Sequence, residues 1–192
     1  MAKIGVKCLT WAKYASGGDG SAIVYSTGGQ MLKDYMVQGD LSMDNSKGDE
    51  YADDHLIDTD SSTTAVHLAL ELANMNDDML KDFCGMEAGT NELFQTDQAA
   101  PFLGVGFMMV NRFKGTVTYE GIWIYKIQFH RDSLTASTKT ENIEFGHENV
   151  TGDGVGVQLT SGGSVYFYAH KTGGANEAAI ETWLKGKAGI QS

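Results

Sequence analysis

The stretch GIWIYKIQF, Gly121 to Phe129, is apolar on both sides when extended. Read at a period of two, Trp123, Tyr125, Ile127 and Phe129 share one face. Ile122 and Ile124 open the other, before Lys126 and Gln128 return it to water. An antiparallel strand normally has one dry and one wet face. A chain containing this segment must therefore cover it twice.

The rest of the sequence supplies strands for that task and few helices. Met36–Asp44 alternates, with Val37, Leu41 and Met43 opposite Gln38, Asp40, Ser42 and Asp44, and so predicts a half-wet strand. Extended segments are also predicted at 7–14, 22–27, 102–110, 116–130 and 140–150. A hairpin is predicted from VGVQLT and SVYFYAH around Ser161-Gly162-Gly163. SGGDG between the first two segments is turn chemistry, so the chain opens as a hairpin or an extended arm. The run TTAVHLALELANM alternates as a strand should, although its Ala and Leu also suit a helix; alternation favours the strand. Asn76-Asp77-Asp78 before Met79, Leu80, Phe83 and Gly85 has the N-cap, first-turn acids and C′ glycine of a short helix. A second helix is predicted from Asn176 to Lys185, ended by Gly186, with Ile180, Trp183 and Leu184 as its apolar stripe. These elements predict a mainly β fold, a sandwich or partial barrel flanked by one or two short helices, in a single domain spanning 1–192.

With 192 residues, 24 glycines and one proline, the chain is long enough for a substantial core and rich in turns. Cys8 and Cys84 are too few for a disulfide framework and read as reduced thiols of a cytoplasmically made protein. No window reaches the length of a membrane span. The formal charge of −11 opposes tight contact with nucleic acid.

Catalytic and metal-binding chemistry each require a particular spacing of side chains. Asp34 to Asp60 holds nine acids against one lysine, Lys47. An EF-hand with its glycine at Gly48 would need an acid at Met43, and would place ligand positions on Asn45 and Lys47, so the segment reads as a solvated polar loop. The clusters GVGF and GDGVG lack the following helix and spacing of a dinucleotide fingerprint; they read as bulges or close backbone contacts. The five histidines show no HExxH, no serine carries a nucleophile elbow, and paired carboxylates are unconstrained in distance. No enzymatic activity, cofactor or metal is expected. A rival expectation is a monomeric β-sandwich that binds a carbohydrate or another small ligand through Trp11, Trp123 and Tyr125.

The order of segments resembles one family across nearly the whole chain. MAKIGVKCLTWAKY, GDEYADDHLIDTD, NDDMLKDF, APFLGVGFMMVNRFKG, GIWIYKIQF, KTENIEFGHENVTG and NEAAIETWLKGK are similar, in that order, to the major tail tube proteins of long-tailed bacteriophages. The resemblance implies a virion protein, made in the host cytoplasm, whose copies close into six-membered rings that stack as a hollow tube for DNA ejection. It implies the tape-measure, tail terminator and distal tail proteins as partners, DNA passing without specific binding, and no membrane insertion. An inter-ring loop is expected around 44–54, with Asp44, Asn45, Lys47, Asp49, Glu50, Tyr51, Asp53 and Asp54. Lumen positions are expected at Gln38, Asp40 and Ser42 on one strand and Asn142, Glu144 and Glu148 on another, because a wall of carboxylates offers phosphates no cation to hold them. Trp123, Tyr125, Ile127 and Phe129 are expected in the core, with Ile122 and Ile124 covered by a helix or a neighbouring subunit. On that placement, Ile124→Asp should block assembly and leave a folded monomer.

Overall fold

The computed structural model describes residues 2–52, 55–131 and 147–190, with 48–52 and 55–60 described by backbone alone. In chain order the elements are β1 (Ala2–Ser16), β2 (Val24–Tyr25), β3 (Gln30–Leu32), β4 (Met36–Ala52), β5 (His55–Leu72), α1 (Asp77–Cys84), β6 (Glu87–Ala88), β7 (Leu93–Phe94), β8 (Leu103–Phe113), β9 (Thr116–His130), β10 (Glu148–Gly154), β11 (Val157–Gln158), β12 (Val165–Tyr166), β13 (Tyr168–Gly174) and α2 (Glu177–Lys187). The fold is mainly β with two short helices. The principal sheet is antiparallel, in the order β2-β1-β8-β9-β10-β5-β4, with β13 added to β9 and β3 to β1. It curls back on itself until β4 lies over β8: a Cβ at Gly39 would stand 3.3 Å from the Phe107 ring. The result is a partial barrel around one main core.

β9 sits where the curl turns. Its first half pairs with β13 on the side away from β8, and its second half pairs there with β10. Between the two halves the ladder to β8 slips, with Leu103 opposite Ile127 but Val105 opposite Ile124, so β9 carries one extra residue. The freed backbone is satisfied at the slip: Tyr125 N–H donates to the Phe167 carbonyl at 3.1 Å, and the Lys126 carbonyl accepts from Val155 N–H at 3.0 Å. A one-residue insertion inverts the facing of everything beyond it. Ile122, Ile124, Ile127 and Phe129 therefore all enter the main core, with Val105, Phe107, Trp11 and the Val66–Leu72 face of β5. Trp123 faces the other way, into a second cluster with Met108, Cys8 and the Ile180, Leu184 and Ala188 side chains of and after α2.

This corrects the expected assignment of faces. Ile122 and Ile124, 8% and 0% exposed, lie in the chain's own core, which includes Met79 and Phe83 of α1, and Trp123 lies on the opposite side under α2. Both dry faces of GIWIYKIQF are closed within one polypeptide. Burial of Trp123 alone removes roughly 200 Å² from water, an upper-bound stabilisation of about 5 kcal/mol at about 25 cal/mol per Å². The close packing needs glycine beneath it. A Cβ at Gly106 would be 2.5 Å from the Ile122 carbonyl oxygen, 2.6 Å from the Trp123 ring and 2.8 Å from Leu184.

The helices dock through polar ties as well as apolar contacts. Asn76 caps α1 by accepting from Met79 N–H at 2.9 Å, and Gly85 ends it with φ 68°. Buried Asp82 on α1 accepts from Trp11 Nε1 at 2.9 Å and pairs with Lys13 at 2.7 Å, fastening the helix to β1. Asn176 caps α2, whose Glu177 and Glu181 pair with Lys7 and Lys33 at 2.5 and 2.6 Å. Gly186 does not stop α2, which continues to Lys187 with Ala188 as its C-cap.

The run 63–73 is strand, as its alternation predicts, since β5 extends to Leu72. Two other expectations change. The predicted final hairpin has two rungs, Val157↔Tyr166 and Gln158↔Val165, after which the chain leaves to pair with β9. The polar stretch after Asp44 is no loop. Its backbone stays paired with β5 through Asp49↔Thr59, Glu50↔Asp58 and, after a one-residue shift, Tyr51↔Leu56 and Ala52↔His55, making a long two-stranded ribbon.

Candidate self-association surface

β4 is the last strand of the sheet order, so among the described residues its 17-residue length has a strand neighbour on one side only. An unpaired edge of that length is a template for another chain. Beside it, no strand pairing among the described residues closes the barrel. A shallow groove of about 280 Å³ is floored by Leu41, Met43, Phe107, Met109, Ile122 and Tyr168, with Lys3, Asp40, Glu120 and His170 also lining it. Met43 and the bulged Val37, both on β4, are each 41% exposed. The β4 groove is one of several places where apolar side chains are left exposed, with Ile4, Phe94, Phe113 and Val165 elsewhere on the chain, and the second face of β9 is not among them.

The outward face of β4 is polar because side chains alternate across the pleat. Gln38, Asp40 and Ser42 are exposed there, in register with Glu71, Ala69 and His67 of β5. These three share one face, as the alternation predicts. Glu148 does not join them: it stands opposite Leu72, on the inward side of β10, and is ion-paired with Arg131. The Arg131 pair leaves Glu148 no free carboxylate on the face that carries Gln38, Asp40 and Ser42. Asn142 and Glu144 lie outside the described residues, as do Asp53 and Asp54 of the expected inter-ring segment. Asp44, Asn45 and Lys47 are exposed on β4, with Asn45 Oδ1 accepting from Thr63 Oγ1 at 3.0 Å and Lys47 in register with Ser61. Asp49, Glu50 and Tyr51 continue the same strand in backbone.

Sequence inspection missed the side-chain links that cross this face. His67 Nδ1 is 2.6 Å from Asp153 Oδ1 and its Nε2 is 3.1 Å from Asp44 Oδ2. His147 Nδ1 meets Glu71 at 2.6 Å. The alternation around Val66 and Leu68 puts His67 on the outward side, but only the register of β10 brings Asp153 to it.

The two cysteines are buried free thiols. Burial, with Glu181 nearby, pushes the Cys8 thiol up to about 11, and burial also raises Cys84. At pH 8 iodoacetamide is expected to label neither in the native protein and both after unfolding, read by intact mass; labelling of native Cys8 at the rate of free cysteine would contradict its packing under α2. Of the three aromatics of the rival ligand platform, Trp11 and Trp123 are 1% and 0% exposed, whereas Tyr125 is half-buried. No protein-family model matches the chain, and no curated protein matches it at a significant level.

Proposed function

We propose that this chain is the repeating subunit of a bacteriophage tail tube, a structural virion protein whose rings stack into a conduit for DNA ejection. The observation that carries the reading is β4: an edge with one strand neighbour among the described residues, an apolar groove alongside, and a ribbon that runs beyond the core. Added strands on successive copies would make a head-to-tail contact, which closes into a ring when its rotation allows. The ribbon formed by 44–52 and 55–63 is then the part that reaches the next ring. The segment order that resembles tail tube proteins supports the same conclusion. So does the charge: with −11 overall and Gln38, Asp40 and Ser42 on an exposed polar face, the surface offers phosphates little to bind.

Concentrated purified protein is expected to form rings or long tubes in negative-stain electron micrographs, with scattering mass rising steeply with concentration. A monodisperse monomer of about 20.7 kDa at every concentration and salt tried would overturn the proposal.

A further inference from the structure

His67 on β5 lies between two carboxylates supplied by different strands. Asp153 faces it directly in the β5–β10 ladder, whereas Asp44 reaches it diagonally from β4, where Ser42 is the direct partner. Both ring nitrogens are at hydrogen-bond distance, 2.6 Å from Asp153 and 3.1 Å from Asp44. An ionised carboxylate can only accept, so both nitrogens must donate, and only the imidazolium has two N–H groups. A neutral ring would turn a lone pair toward one of the two anions. His147 and His170 differ, each meeting one carboxylate, Glu71 or Glu120, through one nitrogen; a neutral tautomer satisfies that geometry.

We propose that Asp44, His67 and Asp153 form a proton-held staple that fastens β4 to β10 across β5, and that releases when the imidazolium loses one proton. The wider surroundings favour the charged ring. On the same face β4 contributes Asp40, β5 contributes Glu71 with its partner His147, and β9 places neutral Gln128 opposite Asp153 and His130 one position of the same face along. Hydrogen bonds to Asp44 and then Asp153 raise the His67 pKa above its ordinary 6.5. The sign follows: the staple is complete below 6.5 and is lost as pH rises through the raised folded value. The device concerns how firmly the ribbon is held to the barrel, and it does not depend on the tube reading.

Two exchange measurements on the full chain test it. Histidine C2–H exchange followed by mass spectrometry should give His67 a pKa above 6.5. Backbone amide exchange, corrected for intrinsic rates, should show protection in peptides from 36–47 falling as pH rises through that value. The fall should be about tenfold for each unit of elevation, while peptides from 103–113 stay constant. His67→Gln should abolish the pH dependence in 36–47, and Asp153→Asn should lower the His67 pKa. A His67 pKa at or below 6.5, or an unchanged pH dependence in His67→Gln, would refute the staple.

Discussion

Ile124→Asp is expected to abolish the soluble folded monomer. Ile124 is 0% exposed and packs in the main core, and a Cβ added at Gly154 would already stand 3.5 Å from its Cγ2. Its cluster mates among the described residues are apolar, so a carboxylate there would exchange water for hydrocarbon, and an uncompensated buried charge costs more than about 4 kcal/mol. That is comparable with the whole stability of many domains, about 5–15 kcal/mol. Ile124→Val, which removes one methylene, should cost only about 1 kcal/mol. Urea denaturation of the two variants distinguishes burial in the chain's own core from burial between copies. A folded Ile124→Asp monomer with a midpoint near that of the parent would return the residue to a subunit interface. Loss of assembly in this variant would by itself say nothing about rings, because the fold fails first.

The different placement of Ile124 shows where alternation stops being informative. Elements with a local signal were legible: the Asn76 cap and Gly85 terminus of α1, the extent of 116–130, and the polar side of β4 at Gln38, Asp40 and Ser42. Each depends on neighbours in sequence. The extra residue in β9 does not, because a bulge is a relation between two strands and nothing in WIYKI marks it. Treating the strand as one uninterrupted pleat therefore put Trp123 with Ile127, when the slip sends them to opposite sides. Acidic residues after Asp44 read as loop because the run shows no apolar alternation, and the backbone pairing with β5 that makes it a strand needs none. The links from His67 to Asp44 and Asp153, and from Arg131 to Glu148, needed strand order, which single residues do not encode. The second face of β9 is closed by α2, and Val37 and Met43 of β4 are among the apolar residues left exposed.

Shortening that ribbon should separate folding from assembly. Lys47 and Ser61 are cross-strand partners, so replacing residues 48–60 by an Asn-Gly dipeptide would close the hairpin with a two-residue turn of the favoured hand. The cut leaves the Asp44–His67–Asp153 links and the entire Val66–Leu72 face intact. A shorter connection costs less closure entropy, and no core side chain among the described residues is removed, so stability should stay within about 1 kcal/mol of the parent. Contacts along the tube axis should nevertheless disappear if the ribbon makes them. Lateral contacts through the first part of β4 and its groove should persist, so rings are expected in micrographs under conditions where the parent gives long tubes. Tubes of parental length from the shortened protein would remove the ribbon from any role between rings. Loss of rings together with tubes, with the monomer still folded, would instead place the lateral contact in the excised segment rather than at Met36–Lys47.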